Sequence, residues 1–244
     1  MVDIMTKRRL SIKKLFIVIL GFIFIMYSIF SMGSILISRV KYELIQSKKI
    51  VLNNDESRRY KIYIDPGHGG NDVGTISKSG KVYEKDIVLE ISKKVVEELS
   101  NYSNVDVIVS RSEDKYISLE NRVKEANEAN VDYFISIHIN SDPNSEDTHG
   151  VETYYSISNK KEVLGSENLA TYIQSNIVDS IDAKDRGAKK SNFMVTKLTS
   201  MPAVLVECGF LSNKSEMSKL STHIYQSDIA QGIVKGLVAY IEEK

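Results

Sequence analysis

From Tyr60 onward, short runs of β-branched and aromatic residues alternate with stretches whose apolar positions recur every three or four residues. The runs Tyr60–Ile64, Val105–Ser110, Tyr133–Ile139, Val151–Tyr155 and Ala203–Val206 read as strands. Between them, Ile87, Ile91, Val95 and Leu99 recur at every fourth position after Glu84, which predicts a helix with one buried face. Ser118 fits the N-cap of a second helix that ends near Asn130, with Val123, Ala126 and Ala129 turned inward. Further helices fit Glu167–Ser180 and Asp228–Ile241. Strands interleaved with helices predict an α/β fold with a largely parallel sheet. No internal repeat is visible, so one catalytic-sized domain over residues 60–244 is the simplest reading.

The N-terminal part has a different pattern. Leu15–Ser38 is an uncharged run of 24 residues rich in Ile, Phe and Leu. As a helix it would span about 36 Å, against about 30 Å for a hydrocarbon core. It is longer than the apolar region of a signal peptide and no A-x-A-like site follows, so an uncleaved transmembrane anchor is expected; cleavage near Ser31–Ser34 is the alternative. Residues 1–14 form a short basic tail. Residues 39–59 are polar, with Asn53, Asn54, Asp55 and Glu56 in a row, and read as a linker. Basic residues flank the span almost equally, so the positive-inside count does not orient it. A short tail followed by a long domain is the usual signal-anchor arrangement, and it places the domain outside the cytoplasm as a single-pass membrane protein.

Charge sharpens this division. The chain of 244 residues has a formal net charge of zero, yet residues 1–49 hold nine Lys/Arg against two acids. The remainder carries 23 bases against 30 acids, an acidic body unsuited to nucleic acid. The single cysteine, Cys208, excludes an intramolecular disulfide. It has no neighbouring His to activate it and reads as a small buried residue.

Candidate chemistry gathers at strand ends. His68 lies in Asp65-Pro66-Gly67-His68-Gly69-Gly70, after the first strand, where open α/β sheets bind ligands. Its glycines permit sharp turning and close approach, although a plain turn with a solvated histidine would look the same. Glu84 precedes the first helix, where an acid also serves the helix dipole. His138 ends an apolar strand and could equally be a satisfied core histidine. Glu207 closes Ala203-Val204-Leu205-Val206, where a carboxylate needs a partner or a task; a salt bridge to Arg111 or Arg122 is the plain alternative. Arg111 is read as a structural anchor ahead of a substrate contact, and His149 and His223 as surface residues. Two histidines with one acid, and a further Glu as general base, form the profile of a hydrolytic zinc site.

The ordered motifs DPGHGG, YEKD, SIHINS and VLVECGFLSN resemble those of the zinc-dependent N-acetylmuramoyl-L-alanine amidases of bacterial cell walls, over residues 60–244. The resemblance implies a twisted, mostly parallel sheet flanked by helices and one zinc ion held by His68, Glu84 and His138. It also implies Glu207 as the catalytic carboxylate and Asn140 as a supporting residue. The expected reaction is hydrolysis of the amide between N-acetylmuramic acid and L-alanine in peptidoglycan. Among these enzymes the chain looks most like the small spore-cortex, germination-specific type, which strips peptide so that a partner deacetylase can form muramic lactam. That type would place the domain in the forespore intermembrane space. The stretch between His138 and Glu207 looks too short for the long inserted helix that blocks zinc in some relatives, whereas a separate activator protein remains compatible. A zinc peptidase acting on the stem peptide and a non-catalytic wall-binding module are the competing readings.

Overall fold

In the computed structural model, residues 19–21, 23–28, 30–33, 49–157 and 163–243 are described. The chain divides into residues 1–49 and residues 50–244. In the first unit the described residues between 19 and 33 are helical, with Phe24, Tyr27 and Phe30 exposed. The rest of the expected anchor 15–38, the tail 1–14 and residues 39–48 lie outside the described residues. No helix among the described residues is long and apolar enough to cross a membrane.

The second unit is built on a six-stranded sheet: β1 (Tyr60–Pro66), β2 (Val105–Val109), β3 (Tyr133–Asn140), β4 (Val151–Tyr155), β5 (Asp185–Lys190) and β6 (Ala203–Phe210). The spatial order is β2-β1-β3-β6-β4-β5. All neighbours run parallel except β4 against β6, which makes the sheet mostly parallel, as expected. The helices are α1 (Glu84–Leu99), α2 (Leu119–Glu128), α3 (Val163–Ile181), α4 (Met194–Lys197), α5 (Lys214–Leu220) and α6 (His223–Glu242).

Strand alternation sorts the core into two unequal halves. Ile62, Ile64, Ile135, Ile137, Val204 and Val206 point to the face covered by α1, α3 and α6. Tyr63, Phe134, Ala203 and Leu205 point to the other face, where they meet Val123 and Ala126 of α2 and Val195 of α4. The thick face holds most of the buried apolar area. The thin face carries less cover, and its strand positions continue into Asp65, His138 and Glu207.

Local sequence explains the helix ends. Ser118 caps α2 by accepting the Asn121 N–H at 3.2 Å. Asn213 caps α5 in the same way through the Glu216 N–H at 3.0 Å. β5, α4 and α5 have no strong period in the sequence, being short or charged. The folded unit also starts earlier than the expected boundary at Tyr60: Leu52 is fully buried and its N–H is held by Asn104 Oδ1 at 2.8 Å. Residues 50–59, expected as linker, therefore pack with the second unit, docked by the buried Leu52 and by Ile50, whose N–H donates to Asn101 O at 2.9 Å and whose carbonyl accepts from the Ser103 N–H at 2.9 Å.

Candidate metal centre

The loop after β1 is pressed against the end of β3. The Gly67 N–H donates to Ile137 O at 3.0 Å, and a Cβ on Gly67 would stand 2.3 Å from the His138 ring. Only glycine fits there. His68 follows with a left-handed backbone, φ 59°, a conformation that non-glycine residues hold only under constraint. Two contacts supply the constraint. Its carbonyl accepts from Arg122 Nη2 at 2.7 Å, and its Nδ1 lies 2.9 Å from Asp72 Oδ1. With Nδ1 occupied, Nε2 is left facing Glu84 at 3.2 Å.

Arg122 is 2% exposed and pairs with Asp65, itself 1% exposed. It also donates to Pro66 O at 2.7 Å and Ile117 O at 2.9 Å. Ser110 and Ser136 donate to the remaining lone pairs of Asp65 at 2.6 and 2.9 Å. Arg111 donates to the carbonyls of Pro66, Gly67 and Lys85 at 3.1, 2.7 and 2.9 Å. Two buried guanidinium groups thus hold the backbone around His68, and Arg111 serves as a structural anchor on carbonyls.

Glu84 is the first residue of α1 and is 3% exposed. Its Oε1 accepts the Ile139 N–H at 3.0 Å and sits 2.9 Å from His138 Nδ1; its Oε2 accepts the Thr75 N–H at 2.8 Å. Burial favours the neutral acid, but hydrogen bonds and charge from His138 and His68 outweigh it and hold Glu84 well below the usual carboxylate range. The same balance acts on His68: burial pushes its pKa down, and Glu84 and Asp72 more than reverse this. One donor atom each from His68, Glu84 and His138 lie within 4.8 Å of one another. Gly74, at φ 66°, makes room beside them, since a Cβ there would meet Glu84 Oε2 at 2.5 Å. Two imidazoles and one carboxylate, with one side open to a cleft, are the donor set of a catalytic zinc site.

Glu207 stands on β6 directly opposite His138 of β3, and on its other side opposite Glu152 of β4. Its Oε2 is buried without a hydrogen-bond partner. Burial, then the negative charges of Glu84 and Glu152, push its carboxyl well above the usual range. The salt bridge that would have made Glu207 structural is not formed: Arg122 is spent on Asp65, and Arg111 on carbonyls. Glu207 is only partly buried, and an acid with one buried, unpartnered oxygen beside a metal-type cluster is a candidate proton-transferring group.

Asn140 lies two residues beyond His138, yet its amide donates to Glu152 Oε1 at 2.6 Å. Glu152 also receives Arg186 Nε at 3.2 Å and Lys189. Asn140 therefore supports Glu152, on the far side of Glu207 from the two histidines. His149 and His223 are exposed, and Cys208 is fully buried with its thiol pushed up by that burial. A cleft of about 420 Å³ opens beside His68, His138 and Glu207. The sequence reading missed Asp72, Gly74 and Glu152. An aspartate four residues after a glycine-flanked histidine was a usable signal for the first; the other two depend on contacts distant in sequence.

Residues 62–239 match the sequence profile of a family described as N-acetylmuramoyl-L-alanine amidase. The crystal structure of an N-acetylmuramoyl-L-alanine amidase from Clostridium difficile 630 superposes with a TM-score of 0.74 at 44% identity, covering 77% of this chain and all of that one. A structure of the CwlD amidase from Clostridioides difficile in complex with the GerS lipoprotein gives a TM-score of 0.71 at 30% identity, over 76% of this chain and all of that one. The germination-specific N-acetylmuramoyl-L-alanine amidase of Bacillus subtilis (strain 168) is 34% identical over 199 residues, 75% of this chain and 80% of its own length.

Proposed function

The chain belongs to the N-acetylmuramoyl-L-alanine amidase family, and from that premise we propose a zinc-dependent hydrolase that cleaves the amide between the lactyl group of N-acetylmuramic acid and L-alanine in peptidoglycan. The observation that carries this reading is the convergence of His68, Glu84 and His138 within 4.8 Å, with the unpartnered Glu207 carboxyl opposite His138. Zinc held by those three side chains would polarise a carbonyl oxygen and acidify a water. Glu207 accepts the proton of the attacking water and returns it to the departing alanyl nitrogen. A carboxyl raised by burial and by neighbouring acids is suited to holding that proton between the two transfers. Asp72 keeps the His68 ring turned so that Nε2 faces the centre, and the Arg122 and Arg111 clamps hold the loop that presents it.

The biological setting belongs to the same proposal. A germination-specific relative of similar length supports a role in removing stem peptides during cortex formation, upstream of a muramic acid deacetylase. A CwlD amidase solved with a lipoprotein supports control by a separate activator here. We place the chain at the membrane through residues 15–38, with residues 60–244 outside the cytoplasm in the forespore intermembrane space.

Mass spectrometry of purified peptidoglycan digested by the chain is the decisive measurement. An amidase releases intact stem peptides from unbroken glycan. Cleavage inside the stem would replace this reading with a zinc peptidase. Folded protein with zinc near zero and no product would replace it with a wall-binding module.

A further inference from the structure

Two short segments at the cleft leave large apolar side chains in water. Tyr116, in the loop before α2, is 57% exposed and Leu119, its first residue, 48%; Phe193, just before α4, is 39% exposed. All three line the cleft that contains His68, His138 and Glu207. The Phe193 ring is braced edge-on by Tyr154, with centroids 5.3 Å apart, so it is held in place over the cleft. Apolar groups gathered at the mouth of a polar site are uncommon unless a ligand covers them.

The charged residues lining this cleft narrow the choice of ligand. Arg122 is the one cation among the described residues that line it, and it is already committed to Asp65 and three carbonyls. Asp72 and Glu207, near the histidines, are acidic. Apart from the metal ion that the proposed function assigns to His68, Glu84 and His138, a carboxylate of the substrate would find no uncommitted cation here, whereas a methyl group would find a ready wall.

We propose that Phe193, with Leu119 and Tyr116, determines specificity by reading the uncharged first residue of the stem peptide through apolar contact, leaving the stem's carboxylates to lie beyond the cleft. This rests on the reading of the chain as a muramoyl-alanine amidase and names which of its side chains select the amine side of the scissile bond. Burying one methyl against such a wall is expected to be worth about tenfold in kcat/KM.

The test uses the full chain loaded with zinc and synthetic N-acetylmuramoyl peptides whose first residue is L-alanine, glycine or L-aspartate. Wild type should prefer alanine over glycine by about tenfold and reject aspartate more strongly. Phe193→Ala should bring the alanine-to-glycine ratio close to one, mainly through KM, and Phe193→Leu should restore much of it. Zinc content measured on each variant reports whether the centre is intact. An equal loss of rate on alanine and glycine in Phe193→Ala would make the ring structural and overturn the proposal, as would a wild type indifferent to the first residue. Release of no muramoyl product by wild type from any of the three would instead bring down the amidase reading itself, and this proposal with it.

Discussion

His138 and Glu207 face each other across the parallel pair β3–β6, one turned to Glu84 and the other left with a buried oxygen that bonds to nothing. Under the proposed function the relationship would divide labour between adjacent strands: β3 would help hold the cation, and β6 would move protons next to it. Glu207→Gln keeps shape and volume and removes only the proton acceptor. Turnover should fall by about 10²–10⁴-fold while zinc content and melting temperature hold. Zinc analysis with product mass spectrometry checks this, and a variant that kept near-normal turnover would remove Glu207 from the chemistry.

Gly67→Ala tests the close approach of the loop to His138. The added Cβ would stand 2.3 Å from the ring, so either the loop or the histidine has to move. Zinc affinity should drop by roughly 10–100-fold, the range found when groups that orient metal ligands are disturbed. Competition with a colorimetric chelator measures it.

Much of the fold was legible in the sequence, because the strands and α1 carry strong periods; of the four candidate residues, His68 and Glu84 sit at element ends, whereas His138 and Glu207 lie within β3 and β6. Tertiary packing hid the remainder. β5 reads Asp-Arg-Gly-Ala-Lys-Lys, a polar edge strand without apolar alternation, recognisable only by its pairing with β4. Leu52 lies in a segment whose sequence reads as linker, and its burial depends on Asn104 and on the helix-covered face, both distant in sequence. Asn140 lies close to His138 in sequence, but beyond the bulge that follows His138 its amide bonds to Glu152 instead.

The metal-free protein should show an acid–base signature of its centre. Glu84 is held below its ordinary value, so its contribution to stability is present above about pH 4.5 and is lost as pH falls toward the lowered value. His68 is held above its ordinary value, so its contribution is present below about pH 6.5 and is lost as pH rises through the raised value. Both act together between about pH 4.5 and 6.5. The stability gap between wild type and Glu84→Gln, measured by urea unfolding in chelator, should be widest in that window and narrow on both sides. A gap that stayed flat with pH would mean the two groups are not coupled.

Far from the centre, Gly236 of α6 lets that helix lie directly on α3. A Cβ at Gly236 would be 2.5 Å from Ile173 Cα, a backbone atom that cannot swing aside. Gly236→Ala should destabilise the fold by about 1–3 kcal/mol through overpacking, even though alanine is the better helix former. Thermal unfolding should register the loss, while zinc affinity stays within error of wild type.

The Asp65–Arg122 pair offers the sharpest separation of positioning from stability. Both groups are buried, and Arg122 reaches the His68 carbonyl as well as Asp65. Arg122→Met would strand the Asp65 charge, with Ser110 and Ser136 as its remaining donors, at a cost of about 3–5 kcal/mol. Adding Asp65→Asn removes that charge, so the double variant should recover much of the stability. It should not recover zinc affinity, because the His68 carbonyl still lacks its donor and the left-handed turn its brace. Urea unfolding and chelator competition on the wild type, both single variants and the double variant complete the cycle. If zinc affinity returned together with stability, Arg122 would be a charge partner for Asp65 and nothing more.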